Sequence, residues 1–374
     1  MRTALWNAVF VILAALPAHS GDWSPRLAAE YLDGRQKEWF AWPAAKAPGG
    51  PCISCHTGMP YLLARPALRK ILGEPQPTQY EKGLLDGLRA RADKREGKDL
   101  FAAFAREPLA SQALGVESVF AALFLAREDP AGHLSEKAEL AFGRMWSFQN
   151  REGRGKGAWP WFQLDLDPWE TPESPFYGAT LAALAVSASP SSYRESPDIL
   201  RNISELTAYL RNTQDTQPLH NRLMLFWASA ALPGLWPEPA RLRLVEEAFA
   251  RQQADGGWTL DSLGPWKERS TATVSAGSNS YATAVVALAL QQGGVTTSDS
   301  RLAEALNWLR SNQDRRLGFW PAGSMNKSYP AGSMQERFMQ DAATAFAALA
   351  LATADEHASS DRNEPRKPLR TSRP

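Results

Sequence analysis

A repeated pattern between about residues 135 and 352 constrains the fold more than any other feature of the chain. Each repeat has an amphipathic helix that ends near a glutamine, a turn rich in glycine and tryptophan, and a helix of small, almost wholly apolar residues. A helix that is apolar all round must be buried, whereas its amphipathic partner covers it. The pattern therefore predicts an inner layer of apolar helices inside an outer layer of amphipathic ones.

The pattern occurs at four turns, and its residue spacing differs from one turn to the next. One copy lies at residues 252–258, near-copies with stretched spacing lie at 149–159 and 313–320, and a weaker one lies at 214–227. Glycine permits tight turns, and buried tryptophan fills the joints between successive units. Long loops precede several of the apolar helices, so the spacing is uneven, which favours a closed toroid over an open solenoid.

The turn at 252–258, which reads Gln-x-x-x-Gly-x-Trp, resembles the QW motif of the squalene–hopene cyclase and prenyltransferase repeat families. The resemblance covers about residues 135–352 and implies an all-α protein folded as an α/α toroid. The cyclases protonate their substrate with an Asp-x-Asp-Asp motif. The nearest sequence here, Asp-Leu-Asp-Pro at 165–168, lacks the last aspartate, so terpene cyclisation is not expected.

A second feature is the pentapeptide at 52–56, Cys-Ile-Ser-Cys-His. Two cysteines separated by two residues and followed by histidine form the attachment motif for a c-type haem. The thiols bond covalently to one edge of the porphyrin, and the adjacent imidazole binds the iron. The motif resembles that of c-type cytochromes and predicts one covalent haem c held by Cys52, Cys55 and His56.

Other interpretations of the cysteine pair remain open. The chain has two cysteines in all, so a zinc site would lack the second pair that such sites usually contain. A thioredoxin-like pair would need a βαβ context that the flanking sequence does not offer. A structural disulfide is compatible with the spacing, but it gives no role to His56.

The motif supplies one iron ligand and leaves the second to another part of the chain. His220 is the first candidate, because it stands at the start of a predicted inner helix, where loops of neighbouring units converge. A histidine bonded to the backbone at a helix start is the plain alternative, and methionines often only fill gaps in packing. The remaining candidates are His133, Met325, Met334 and Met339.

The chain divides into four predicted segments. Residues 1–20 have a positive residue, an apolar run and a small-x-small site, which is typical of a cleaved signal peptide. Residues 21–110 form an N-terminal segment with the haem site, residues 111–353 the toroid, and residues 354–374 a disordered tail. The mature protein is therefore expected in the periplasm or outside the cell, with no transmembrane segment.

Composition narrows the possible partners. The 374 residues include 41 basic and 40 acidic side chains, and this balance gives no basis for binding nucleic acid. The expected partner is either a redox protein or a small organic substrate.

The function predicted first is an exported monohaem cytochrome on a toroid scaffold that transfers electrons. One alternative is a haem-dependent oxidoreductase or peroxidase with a substrate in the toroid cavity. Another is a haem-independent toroid lyase or hydrolase, with acid–base groups drawn from Tyr281, His220, Asn221 and Arg222, or a protein that binds a ligand.

Overall fold

The structure is a computed structural model that describes residues 23–95, 106–272 and 276–363, without the side chains of 357–363. These residues form thirteen α-helices and one pair of two-residue antiparallel strands, β1 (Lys46–Ala47) and β2 (Gly50–Pro51). The helices are α1 (Pro25–Ala41), α2 (Gly58–Leu72), α3 (Gln79–Arg91), α4 (Leu109–Glu128), α5 (Glu136–Ser147), α6 (Ser174–Ala188), α7 (Ser191–Arg194), α8 (Pro197–Thr213), α9 (Leu219–Ala231), α10 (Glu238–Ala250), α11 (Ser280–Gln292), α12 (Ser300–Ser311) and α13 (Phe338–Asn363).

Six apolar helices, α2, α4, α6, α9, α11 and α13, form an inner layer. Within it, α13 packs against α2 and α11, α9 packs between α11 and α6, and α6 packs against α4. The amphipathic helices α1, α3, α5, α8, α10 and α12 lie outside and cover them. This arrangement confirms the predicted all-α fold class, an α/α toroid of helix pairs.

Small residues allow the inner helices to approach closely. In α6 most side chains are buried, and alanine recurs along the helix, so it can pack on every side. At Gly178 an added Cβ atom would overlap the ring of Trp161. The outer helices α5 and α8 instead bury one side and expose charged residues on the other.

The glutamine, glycine and tryptophan of each turn join successive units through hydrogen bonds. Gln252 donates through Nε2 to the carbonyl oxygens of Gly256 and Arg301, both at 2.8 Å. Trp258 is fully buried, and its Nε1 donates to Ala248 O at 2.7 Å. The turns at 149–159 and 313–320 repeat these bonds, which explains why the pattern recurs.

The ring closes between its last turn and its first helix. Gln313 Nε2 donates to Ser24 O at 3.0 Å, and Ser24 N donates back to Gln313 Oε1 at 2.6 Å. Helix α1 thus takes the outer position that a further repeat would occupy. The segment predicted for residues 21–110 contributes α1, α2 and α3 to the helix layers, with residues 52–56 between α1 and α2.

Two predictions concern the ends of the chain. Helix α13 continues to Asn363, so part of the tail predicted for 354–374 is helical, and residues 364–374 lie outside the described residues. The signal peptide predicted for 1–20 also lies outside them.

Helix α4 is long and apolar enough to cross a membrane, but 83% of its most apolar window is buried inside the protein, as expected of an inner helix.

Candidate functional site

The loop that carries the two cysteines is fixed by buried side chains from several elements. Arg91 of α3 donates to the carbonyl oxygens of Pro48, Gly50 and Pro51 at 2.8 to 3.3 Å. Trp39 of α1 donates through Nε1 to Cys52 O at 2.8 Å. These bonds satisfy backbone groups that a buried loop would otherwise leave unpaired. The loop therefore holds a defined position relative to α1, α3 and the start of α2.

Both cysteines of the loop are unbridged thiols. Cys52 is half-buried and Cys55 is buried. Burial raises the pKa of Cys52 to about 12 and that of Cys55 well above its ordinary value. Because a thiolate rather than a thiol is the nucleophile, neither residue is activated for attack at neutral pH in this state.

The imidazole of His56 lies among aromatic rings. It stacks on Phe338, with ring centroids 3.5 Å apart, and its neighbours include Trp39 and Trp169 at 5.7 and 6.2 Å. Burial, the main cause, and the nearby Arg35 cation lower the pKa of His56 to about 3. The ring is therefore neutral at physiological pH.

A cavity of about 240 Å³ opens beside this loop, and its walls include the aromatic side chains of Trp39, Trp42, Phe162 and Phe338. Helix α4 contributes Glu117, the loop before α6 contributes Glu170, and α13 begins at the cavity with Phe338. Glu117 is buried and pairs with Arg91 Nε at 2.6 Å. Burial raises the pKa of the Glu170 carboxyl to about 7. Two carboxyl groups in unlike environments thus face one enclosed space.

The residues predicted to hold a haem are brought together. Cys52, Cys55 and His56 all line this cavity, and the aromatic walls suit a flat apolar group. At about 240 Å³ the space is below the range of about 300–1,000 Å³ usual for ligand sites, so it would not enclose a whole porphyrin. The donor set fits the cofactor, which stays a prediction.

His220 lies apart from this cavity, in the first turn of α9. Its Nδ1 is 3.0 Å from Asn221 Oδ1, and its Nε2 is 2.9 Å from the hydroxyl of Tyr281. Both ring nitrogens are therefore engaged, and the ring stacks near Tyr177 and Tyr281. Burial lowers the pKa of His220 to about 4. Its role as a second iron ligand stays a prediction.

The other candidate iron ligands also lie away from the cavity walls. His133 is exposed in the loop before α5. Met325 and Met339 are buried in the core, and the sulfur of Met334 is 3.5 Å from Arg35 Nη1. Among the described residues, no group of three or more histidine, cysteine or acidic side chains is arranged to hold a metal ion.

The aspartates of residues 165–168 face a neighbouring loop. Asp165 is exposed, forms ion pairs with Lys267 and Arg269, and adopts a positive φ of 58°. Asp167 is buried, and one of its carboxylate oxygens is 3.6 Å from Arg269 Nη2. These contacts tie two loops together on one face of the toroid.

Sequence reasoning missed both carboxyl groups of the cavity. Glu117 lies within an apolar helix, where a lone acidic residue in a run of alanine, valine and leucine is a recognisable sign of a buried partner. Glu170 follows Trp169 in a long loop, and nothing in its local sequence marks it. Only the folded chain places it in the same cavity as His56.

Comparisons with known proteins give a fold match without a family. No protein-family model and no curated protein matches the sequence. Among solved structures, the fold is similar to an inactive variant of an alpha-1,6-mannanase, GH76A of Salegentibacter sp. HEL1_6, in complex with alpha-1,6-mannotetrose. The TM-score is 0.49 and the sequence identity 13%, over 88% of this chain and 99% of that chain. At this identity the likeness concerns the fold alone.

These findings correct the predicted family and function. No family model for a c-type cytochrome or a squalene–hopene cyclase matches the chain. The predicted cytochrome and cyclase resemblance is therefore wrong, as are the electron-transfer function and its oxidoreductase, lyase and ligand-binding alternatives. The reason is that short motifs such as those at 52–56 and 252–258 are compatible with several proteins and do not fix an activity.

Proposed function

We propose that the chain is a hydrolase that acts on a small glycoside in the cavity between Glu117 and Glu170. The observation that carries this proposal is the pair of carboxyl groups in one aromatic cavity, each in a different electrostatic environment. Glycoside hydrolysis needs such a pair, one carboxylic acid that protonates the leaving oxygen and one carboxylate that acts as base or nucleophile.

The different surroundings of the two carboxyl groups assign one of these roles to each. Burial raises the pKa of Glu170 to about 7 and so favours a protonated carboxyl up to near neutral pH, as a general acid requires. Glu117 instead forms a buried ion pair with Arg91, whose Nε lies 2.6 Å from its carboxylate. Glu170 is thus assigned as proton donor and Glu117 as base or nucleophile.

The cavity also limits the substrate. Trp39, Trp42 and Phe338 offer flat apolar faces, and the volume of about 240 Å³ suits a single ring better than a long chain. The carboxyl groups supply hydrogen-bond acceptors for hydroxyl groups at the edge of that ring. A small organic substrate with an apolar face and polar edges meets these conditions, and a glycoside is of this kind.

The test is hydrolysis of a panel of aryl glycosides. Activity should appear with at least one of them and fall as pH rises past about 7, where Glu170 loses its proton. Glu170→Gln should lower kcat by about 10²–10⁴-fold, the usual contribution of a general acid. The control is Glu152→Gln, at an exposed loop residue outside the cavity. A panel without turnover, or a Glu170→Gln variant as active as the control, contradicts the proposal.

As the alternative occupant of the same cavity, we propose one haem attached covalently through Cys52 and Cys55, with His56 as an iron ligand. The observation in favour is that two unbridged thiols and a neutral imidazole line one cavity. When bound, a haem supplies an iron centre, and the three residues would anchor it. This second proposal concerns the occupant of the cavity and implies no electron-transfer role.

An absorption spectrum distinguishes the two occupants. Protein produced in cells with haem-attachment machinery should show a Soret band that survives denaturation, and replacing both cysteines with alanine should abolish it. Colourless protein overturns the haem proposal and leaves the hydrolase proposal to the glycoside assay. A fully haem-loaded protein without glycosidase activity overturns the hydrolase proposal.

We further propose that residues 1–20 are a signal peptide, on the basis of their sequence pattern. N-terminal sequencing of protein recovered from the periplasm or medium should begin near residue 21. Recovery of the protein only from the cytosol, with Met1 intact or simply removed, contradicts this.

A further inference from the structure

A chain of buried hydrogen bonds leads from His56 to Asp341 on α13. His56 Nδ1 is 2.9 Å from Thr57 Oγ1, and the Thr57 hydroxyl donates to Asp341 Oδ2 at 2.8 Å. Thr57 and Asp341 are 2% and 1% exposed, so water does not compete for these bonds. The three side chains therefore form one connected network behind the cavity.

The proton positions in this network follow from counting donors. Asp341 Oδ1 accepts from Arg35 Nε at 2.7 Å and from the hydroxyl of Tyr31 at 2.8 Å. Tyr31 itself accepts from Gln340 Nε2, so its single hydroxyl proton points to Asp341. With a guanidinium and a hydroxyl on Oδ1, Asp341 is satisfied as a carboxylate, which accepts hydrogen bonds and donates none.

The hydroxyl of Thr57 has one proton, and Asp341 takes it. Thr57 Oγ1 is then left with acceptor capacity toward the imidazole, so His56 Nδ1 must be the protonated nitrogen. In a neutral ring the other nitrogen, Nε2, keeps its lone pair, and the described residues give Nε2 no hydrogen-bond partner. The ring lines the cavity.

We propose that Thr57 and Asp341 are positioning residues that hold His56 as the Nδ1–H tautomer and present the unprotonated Nε2 to the cavity. Hydrogen-bonded partners behind a histidine commonly fix its tautomer in this way. The device equips His56 to accept a hydrogen bond from a substrate hydroxyl or to bind a metal. It belongs to the site proposed above but does not depend on which occupant that site takes.

The test is nuclear magnetic resonance of the full protein labelled with ¹⁵N-histidine, which distinguishes protonated from unprotonated ring nitrogens. His56 should show Nδ1 protonated and Nε2 unprotonated. Thr57→Val removes the acceptor while keeping the shape of the side chain, so the Nε2–H tautomer should become populated. Thr57→Ser keeps the hydroxyl and should restore the original spectrum.

The same spectrum contains an internal control. His220 is held by Asn221 and Tyr281, far along the chain from Thr57, and its signals should not change in any of these variants. Wild-type His56 found with its proton on Nε2, or a folded Thr57→Val variant with the tautomer unchanged, overturns the proposal. Should Thr57→Val fail to fold, the wild-type and Thr57→Ser spectra still decide the tautomer.

Asp341→Asn tests the outer partner separately. An amide in this position can donate to Thr57 Oγ1, which releases the Thr57 proton toward His56 Nδ1 and favours the Nε2–H tautomer. An unchanged tautomer in this variant overturns the part assigned to Asp341. Glycosidase activity is not needed as a readout, so failure of the hydrolase proposal and failure of this one are distinguishable.

Discussion

At the scale of single residues, the cavity brings together groups whose protonation is set by burial. Glu170 keeps a proton to about pH 7, whereas His56 remains neutral down to about pH 3. Both shifts favour the neutral form, because the cavity and its aromatic walls leave little water to solvate a charge. The site is therefore nearly uncharged apart from the Arg91–Glu117 ion pair, whose Glu117 lines the cavity.

The raised pKa of Glu170 makes stability depend on pH. In the unfolded chain this carboxyl titrates near 4.5, and in the folded protein near 7. Between these values the folded state binds more protons, so its free energy of unfolding should fall as pH rises from about 4.5 to 7. The stabilisation is complete below the unfolded value and lost above the folded one.

Denaturant titrations across that range check the prediction. Glu170→Gln should remove this downward slope, and the difference between the two proteins isolates Glu170 from the opposite slopes that His56 and His220 contribute. Parallel pH profiles for the two proteins would contradict the assignment. The exposed Glu152→Gln variant serves again as control.

At the scale of helices, tight packing of the inner layer depends on glycine at close contacts. Gly178 of α6 faces the indole of Trp161, which is fully buried and donates to Trp169 O at 3.0 Å. Interiors packed to this density do not absorb an extra methyl group without displacement. The loop that carries Trp169 and Glu170 is therefore braced by α6.

Gly178→Ala should lower the free energy of unfolding by about 1–3 kcal/mol, the usual cost of overpacking. The matched control is Gly143→Ala in the outer helix α5, where an added Cβ atom meets nothing within 4 Å. That change should raise stability by about 0.5–1 kcal/mol, because alanine favours helix. Thermal or denaturant unfolding measures both, and a Gly178→Ala variant at least as stable as wild type would refute the packing argument.

At the scale of the whole molecule, the toroid is closed by contacts between the two ends of the described chain. Gln313 holds Ser24 through two hydrogen bonds, and Tyr31 and Arg35 of α1 bind Asp341 of α13. The closure therefore positions the outer helix α1, and it also positions the hydrogen-bond network behind His56. The fold and the candidate site share these contacts.

Gln313→Ala should destabilise the protein by about 1–3 kcal/mol, because it leaves buried backbone groups unsatisfied. Hydrogen exchange should accelerate most in α1, where closure is lost. Gln252→Ala removes the equivalent bonds between two interior units and is the comparison variant. Equal acceleration of α1 exchange in both variants would show that Gln313 has no special role in closing the ring.

The sequence by itself determined the helix pairs, the α/α toroid class and the adjacency of Cys52, Cys55 and His56. These features are local, because helical periodicity and short spacings involve residues that are close together in the sequence. The tertiary structure alone decided that α1 closes the ring, that Glu117 and Glu170 meet at the cysteine loop, and that Asp341 lies behind Thr57, 284 positions away. Such pairings depend on how whole helices pack around the core, and no local pattern encodes them.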